Sequence, residues 1–181
     1  MTVIGFVGLG IMGRPMAVNL RNAGYDVVGT NRSSGKVQQF VAEGGRGAET
    51  IAEAVRGAEV VITMLPDSPD VEDAVQGEDG VFANAEPGAL LIDCSSISTD
   101  TTRKIAETGA HQGFRVLDAP VSGGEAKAID GTLSIMVGGD QDAFNAAEGI
   151  LNPLGTTVTH VGEAGSGQTV KIANQLIVAG N

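Results

Sequence analysis

Residues 3–13 read VIGFVGLGIMG, an apolar β-branched run that breaks into glycines at positions 8, 10 and 13. The segment that continues it, through MAVNLRNAG, spaces its apolar residues as a helix does. A lone G-x-G-x-x-G says little. Set between a strand and a helix in the first βαβ unit, it marks a dinucleotide-binding turn. Gly8 makes the tight turn, Gly10 admits a diphosphate close to the backbone, and Gly13 lets the helix pack on the strand. The cradle comprises Gly8, Leu9, Gly10, Ile11, Met12 and Gly13, with free N–H groups at the helix start for the diphosphate. Flavin and S-adenosylmethionine sites use similar loops and are the rival readings.

The same alternation recurs beyond this unit. Strand-like runs follow at DVVGT (26–30), EVVITML (59–65), ALLID (89–93), RVLDA (115–119), LSIMV (133–137) and TVTHV (157–161). Segments of helical spacing, among them VEDAVQ, TDTTRKIAETGA and DQDAFNAAEGIL, lie between most of them. Alternating strand and helix imply a Rossmann-like, doubly wound α/β fold with a mostly parallel sheet covered on both faces. Near-continuous apolar strands fit burial on both sides. With no repeat, linker or charged tail before residue 160, residues 1–164 read as one dinucleotide-binding domain.

Composition narrows the function. Net charge is −11, from 22 acidic and 11 basic residues, which argues against nucleic-acid or anionic-membrane partners, since both require clustered cations. An anionic ligand must be held by local positive groups against that field. Cys94 is the only cysteine, so no internal disulfide forms, and its expected state is a buried, inert thiol. No apolar run reaches the ~18 residues of a membrane span. The first residues lack a basic leading region and a cleavage site, and a cytoplasmic location is expected.

The strand ends carry the candidate site. An NAD site normally places Asp or Glu at the end of the second strand, for the ribose hydroxyls. Here residues 29–34 read GTNRSS. Asn31, Arg32 and Ser33 instead suit a 2′-phosphate, with Arg32 as charge partner, so NADP is favoured and NAD is the alternative. A solvated surface arginine is the plain reading of the same residue. Three more strands end in MLPDSPDVEDAV, DCSSIS and DAPVSGGEAKA. Ligands in such sheets bind beyond the carboxyl ends of the strands, which puts Met64, Leu65, Pro66 and Ser96 on the cofactor side. In Ser122-Gly123-Gly124, a hydroxyl and exposed N–H groups can cradle a substrate carboxylate. His111 and His160 are expected to face solvent or cap turns, Asp118 to end its strand, and Arg14 to occupy a surface helix position.

The last segment, GSGQTVKIANQLIVAGN (165–181), sets Lys171 in an apolar helix with Asn174 three residues on, hence on one face. Pattern alone favours a snorkelling surface lysine. Val170, Ile172, Ala173, Leu176, Ile177, Val178 and Ala179 surround most of this helix, so a partner chain or further domain is expected to cover it.

Together GFVGLGIMGRPMAVNL, MLPDS, DCSSIS, DAPVSGGEAKAIDGTLSIMVGGD and GSGQTVKIANQ resemble the β-hydroxyacid dehydrogenase family over essentially all 181 residues. That family includes 3-hydroxyisobutyrate dehydrogenase, 2-hydroxy-3-oxopropionate (tartronate semialdehyde) reductase, and glyoxylate and succinic semialdehyde reductases. The resemblance implies NAD(P)-dependent interconversion of a small 3-hydroxy acid and its aldehyde. It also implies that Lys171 exchanges a proton with the carbonyl oxygen, that Asn174 orients the lysine or the substrate, and that Ser96 lies near the nicotinamide. It makes residues 165–181 the start of a long interdomain helix leading to an all-helical second domain. A homo-oligomer is expected, and the fragment alone is expected to be inactive or weakly active. Two departures are visible: Thr99 stands where the family commonly has proline, and Asn174 is followed by Gln175 rather than a second asparagine. A non-catalytic dinucleotide-binding module is the alternative of another class.

Overall fold

Short aliphatic runs become strands and the amphipathic segments become helices in the computed structural model, which describes residues 1–179. The strands are β1 (Val3–Val7), β2 (Asp26–Thr30), β3 (Arg46–Gly47), β4 (Val60–Thr63), β5 (Leu90–Asp93), β6 (Arg115–Asp118), β7 (Val121–Ser122), β8 (Leu133–Gly138) and β9 (Gly155–Gly162). The helices are α1 (Gly13–Asn22), α2 (Ser34–Ala42), α3 (Ile51–Val55), α4 (Ser68–Gln76), α5 (Val81–Asn84), α6 (Thr99–His111), α7 (Gly124–Asp130), α8 (Gln141–Leu151) and α9 (Ser166–Ala179).

The sheet runs β3-β2-β1-β4-β5-β6-β8-β7, with β9 on the far edge of β8. From β3 to β6 every pairing is parallel, the doubly wound order of a dinucleotide-binding domain. β8 then reverses direction. It pairs antiparallel with β6 at Asp118–Gly138 and with β7 at Val121–Ile135, while β9 lies parallel along its other edge. The chain order reverses between β1 and β4, so the turns after both strands flank one crevice.

Period-two alternation divides the strands between two cores. Ile4, Phe6, Ile62, Leu90 and Ile92 point into the layer holding Met16, Leu20 and Phe144. Val7, Val61 and Leu91 point the other way, onto Val71, Val75 and Ile105. Each fully buried aliphatic side chain contributes about 1.5–3 kcal/mol relative to exposure. Having two apolar faces is what makes these strands read as unbroken apolar runs. Among the described residues, no helix is long and apolar enough to cross a membrane.

Some expectations need amendment. Two-residue strands such as β3 and β7 carry no periodicity to read, and α2, α3 and α5 were not anticipated. His160 is not a solvent or turn-capping residue: it sits half-buried in β9, stacked on Phe144 at 5.1 Å, with Nε2 2.7 Å from the Gly139 carbonyl oxygen. Arg14 does lie on the surface, paired with Glu43 at 2.7 Å. Cys94 is fully buried, and desolvation pushes its thiol well above the ordinary range.

Candidate functional site

The turn after β1 is shaped by contacts that no side chain could survive. Gly8 has φ of +105°, and a Cβ there would lie 2.2 Å from the Met64 carbonyl oxygen. A Cβ on Gly13 would come 1.8 Å from the Gly8 carbonyl oxygen, so the first turn of α1 presses directly on the loop. A Cβ on Gly10 would meet nothing within 4 Å. Its small size therefore preserves open space beside the loop rather than internal packing, which fits a diphosphate cradled at the N-terminus of a ten-residue helix. Ile11 is exposed, and Met12 is half-buried against the core. Leu9 differs from expectation: its side chain is in the core and its N–H donates to Asn31 Oδ1 at 3.0 Å. It anchors the loop from beneath.

A cavity of about 350 Å³ opens between this turn and the end of β2, lined by Gly8, Asn31, Arg32, Leu65, Pro66 and Asp70 among others. At its edge Asn31 clamps the glycine turn through the Leu9 N–H. The cavity's charge is less simple. Arg32, the expected charge partner of a 2′-phosphate, has Nη1 2.7 Å from Asp70 Oδ1, with the arginine side chain 80% exposed. Glu49 and Asp73 line the same cavity. Ser33 is the exposed N-cap of α2 and makes no side-chain capping bond, which leaves its hydroxyl uncommitted.

The turns after β4 and β5 are joined by a buried polar chain. Thr63 Oγ1 donates to Asp93 Oδ1 at 2.8 Å, and the Ser95 N–H donates to the same oxygen at 3.1 Å. Ser95 Oγ accepts the Leu65 N–H at 2.9 Å. Among the described residues Asp93 Oδ2 has no partner, and burial lifts this carboxyl from 3.8 to about 6 despite the bonds from Ser95 and Thr63. Met64 is half-buried, and Ser96 projects to the surface beside this chain.

Gln168, on α9, closes the assembly. Its Nε2 donates to the Ser95 carbonyl at 2.8 Å, and its Oε1 accepts the Ile97 N–H at 3.2 Å. Asp118 does more than end its strand. It is 1% exposed and caps α9, accepting the N–H of Gly165 at 2.9 Å and of Gln168 at 3.0 Å. Burial raises its pKa and those backbone bonds lower it. The sequence reading did not single out Gln168, and it gave Asp118 its strand end but not its cap. A signal existed for Gln168, since residues 168, 171 and 174 share a helical face, but nothing in the sequence tells that a strand-end aspartate caps a helix about fifty residues later.

This frame presents Lys171. It is 7% exposed, and desolvation lowers its pKa from 10.5. Among the described residues its ammonium makes no hydrogen bond or ion pair, while most of the side chain is withdrawn from water. Three residues on, Asn174 Nδ2 donates to Ser122 Oγ at 3.2 Å, tying α9 to the strand end that carries Ser122, Gly123 and Gly124. Gly123 and Gly124 both have positive φ, +138° and +68°, and both are exposed. The structure thus gathers Ser122, Gly123 and Gly124 beside the lysine's helix, while Asn31 to Ser33 follow the end of β2.

Residues 3–162 match the family model described as the NAD binding domain of 6-phosphogluconate dehydrogenase. The chain is 44% identical over 178 residues to a 3-hydroxyisobutyrate dehydrogenase of Pseudomonas aeruginosa, covering 98% of this chain and 60% of that protein. It is 43% identical to the 2-hydroxy-3-oxopropionate reductase of Escherichia coli, covering 98% and 61%. A solved structure of Mycobacterium tuberculosis 3-hydroxyisobutyrate dehydrogenase with L-serine superposes with a TM-score of 0.94 at 40% identity, covering 99% of this chain and 60% of that one. The chain spans about 60% of the length of the relatives it matches. With the glycine turn, the strand order and these matches together, the chain belongs to the β-hydroxyacid dehydrogenase family and carries that family's NAD-binding domain.

Proposed function

We propose that the chain supplies the cofactor domain and the proton-carrying lysine of an NADP-preferring 3-hydroxyacid dehydrogenase, which interconverts a small 3-hydroxy acid and its semialdehyde. The observation that carries this reading is Lys171: a side chain 7% exposed, its ammonium without a hydrogen-bond or ion-pair partner among the described residues, on a helix whose next turn reaches Ser122. NADP(H), when bound, supplies or accepts the hydride. Gly8, Gly10, Ile11, Met12 and Gly13 hold its diphosphate, with Leu9 supporting the loop. Asn31, Arg32 and Ser33 take the adenosine end, and Met64, Leu65, Pro66 and Ser96 border the crevice.

Carbonyl reduction develops alkoxide charge. Lys171 Nζ stabilises that charge and donates a proton to the oxygen, and in the oxidation direction it takes the proton back. Partial desolvation lowers its pKa and so eases the exchange nearer neutral pH. Ser122 with the N–H groups of Gly123 and Gly124 binds the substrate carboxylate, and Asn174 keeps Ser122 and the lysine's helix in register. The first substrate to try is 2-hydroxy-3-oxopropionate, then 3-hydroxyisobutyrate, glyoxylate and succinic semialdehyde. A homo-oligomer in the cytoplasm completes the proposal. A non-catalytic dinucleotide-binding module would keep the glycine turn but has no use for a buried, unpaired lysine.

The test is calorimetric titration of the 181-residue chain with NADPH and, separately, NADH, followed by steady-state assay. Binding with NADPH preferred and little turnover is the expected result. Binding of neither dinucleotide overturns the cofactor reading, and turnover at the rates of longer relatives overturns the fragment reading.

A further inference from the structure

The Arg32–Asp70 pair occupies an unusual place. Arg32 is the cation that the proposed 2′-phosphate needs, yet its guanidinium is already engaged by a carboxylate from the first turn of α4. Asp70 is the more sheltered partner, its side chain 19% exposed against 80% for the arginine. The cavity beneath them is lined by one cation, Arg32, and by the carboxylates of Glu49, Asp70 and Asp73. A bare adenosine ribose tolerates such a wall, because carboxylates accept from its hydroxyls. A phosphate of nearly two negative charges does not, unless the arginine turns toward it.

We propose that Asp70 is a specificity-determining residue, which sets the balance between NADP and NAD by competing with the 2′-phosphate for Arg32. This rests on the reading of the cavity as the adenosine site. In the free protein the pair holds the guanidinium over the cavity mouth. Binding NADP(H) exchanges the Asp70 carboxylate for phosphate oxygens, with the Ser33 hydroxyl as a second donor left free by the absence of a capping bond. NAD(H) makes no such demand, so the ion pair stays intact. Asp70 thereby acts against NADP alone, through Arg32.

The geometry makes a clean substitution available. The side-chain cap of α4 comes from Asp67 Oδ1, which accepts the Asp70 N–H at 3.1 Å. Asp70→Asn keeps that bond and nearly the same volume while removing the charge. The experiment is calorimetric titration of the 181-residue chain with NADPH and NADH at low ionic strength. Four proteins are compared: wild type, Asp70→Asn, Arg32→Gln and the double variant, each checked by thermal melting. The ratio of NADPH to NADH affinity is expected to rise about 3- to 10-fold in Asp70→Asn, the scale of losing one exposed ion pair together with one repulsive charge. The rise should disappear in the Arg32→Gln background, since the two residues act as one unit.

An unchanged ratio in Asp70→Asn overturns the proposal. So does an equal rise in the Arg32→Gln background, because the carboxylate would then act on the phosphate directly and not through the arginine. Asp73→Asn, which removes a charge from the same cavity without touching the pair, should move the ratio less than Asp70→Asn, and an equal effect also overturns the assignment. If the wild-type chain binds neither dinucleotide, the underlying adenosine reading fails first, and the proposal fails with it.

Discussion

Lys171 and Asp93 are both buried ionisable groups, and their charged forms respond oppositely to pH. Desolvation lowers the lysine's pKa from 10.5, so its amine should titrate below that value, as read by NMR of the methylated lysines. Replacing it with methionine removes the proposed proton carrier, and turnover of the whole protein should fall ~10²–10⁴-fold, the usual worth of a positioned acid or base. Undiminished turnover would reassign the proton. Asp93 is lifted from 3.8 to about 6, so between those values the folded chain holds a proton that the unfolded chain has released. Its carboxylate therefore costs stability above pH 6, and the cost vanishes as pH falls below 4. Asp93→Asn, which keeps an acceptor for Thr63 and the Ser95 N–H, should stabilise by roughly 2–3 kcal/mol at neutral pH, at about 1.36 kcal/mol per pKa unit. Denaturant melts should show that gain shrinking through the 6-to-4 window, and a pH-independent difference would count against it. That Lys171 and Asn174 share a face of one helix was legible from their spacing. Asp93, Ser95 and Gln168 were not, because their roles depend on partners thirty to seventy residues away.

Among the elements, α9 depends on a cap that it does not supply. Asp118 belongs to β6, and its two oxygens take the first N–H groups of the helix. Asp118→Ala strands buried donors at Gly165 and Gln168, so a loss of roughly 2–4 kcal/mol is expected, from the lost cap and the unsatisfied groups. Denaturant titration measures it, and a loss under about 1 kcal/mol, the value of an ordinary exposed cap, would refute the placement. The parallel half of the sheet was readable because β1, β4 and β5 are apolar on both faces and β2 and β6 each centre on an apolar pair. The reversal at β8 was not. It follows from a tight excursion through Pro120, β7 and α7, where the local sequence offers turn residues but no sign of direction.

For the molecule as a whole, the outstanding surface is the outer face of α9. Val170, Ile172, Leu176, Ile177 and Val178 are 38% to 70% exposed, the last three all above 60%. Contiguous apolar surface of this kind drives association. The chain should self-associate in sedimentation experiments as concentration rises, and Leu176→Lys should weaken that association. A clean monomer at high concentration would show the face to be tolerated in water. The sequence foretold that the helix needs cover, since it is apolar nearly all round, but not which side the domain itself would take. That side is fixed by the cap from Asp118 of β6 and by Gln168 and Asn174, all acting on its first three turns. Considered mechanically, α9 is a cantilever: bolted to the sheet at one end, loaded at the other. Deflection of such a beam grows with distance from its anchor, so whatever settles on Leu176 and Val178 can shift or press that end while Lys171, close to the bolts, hardly moves. Lys171 keeps its place because it is mounted where the lever has almost no travel.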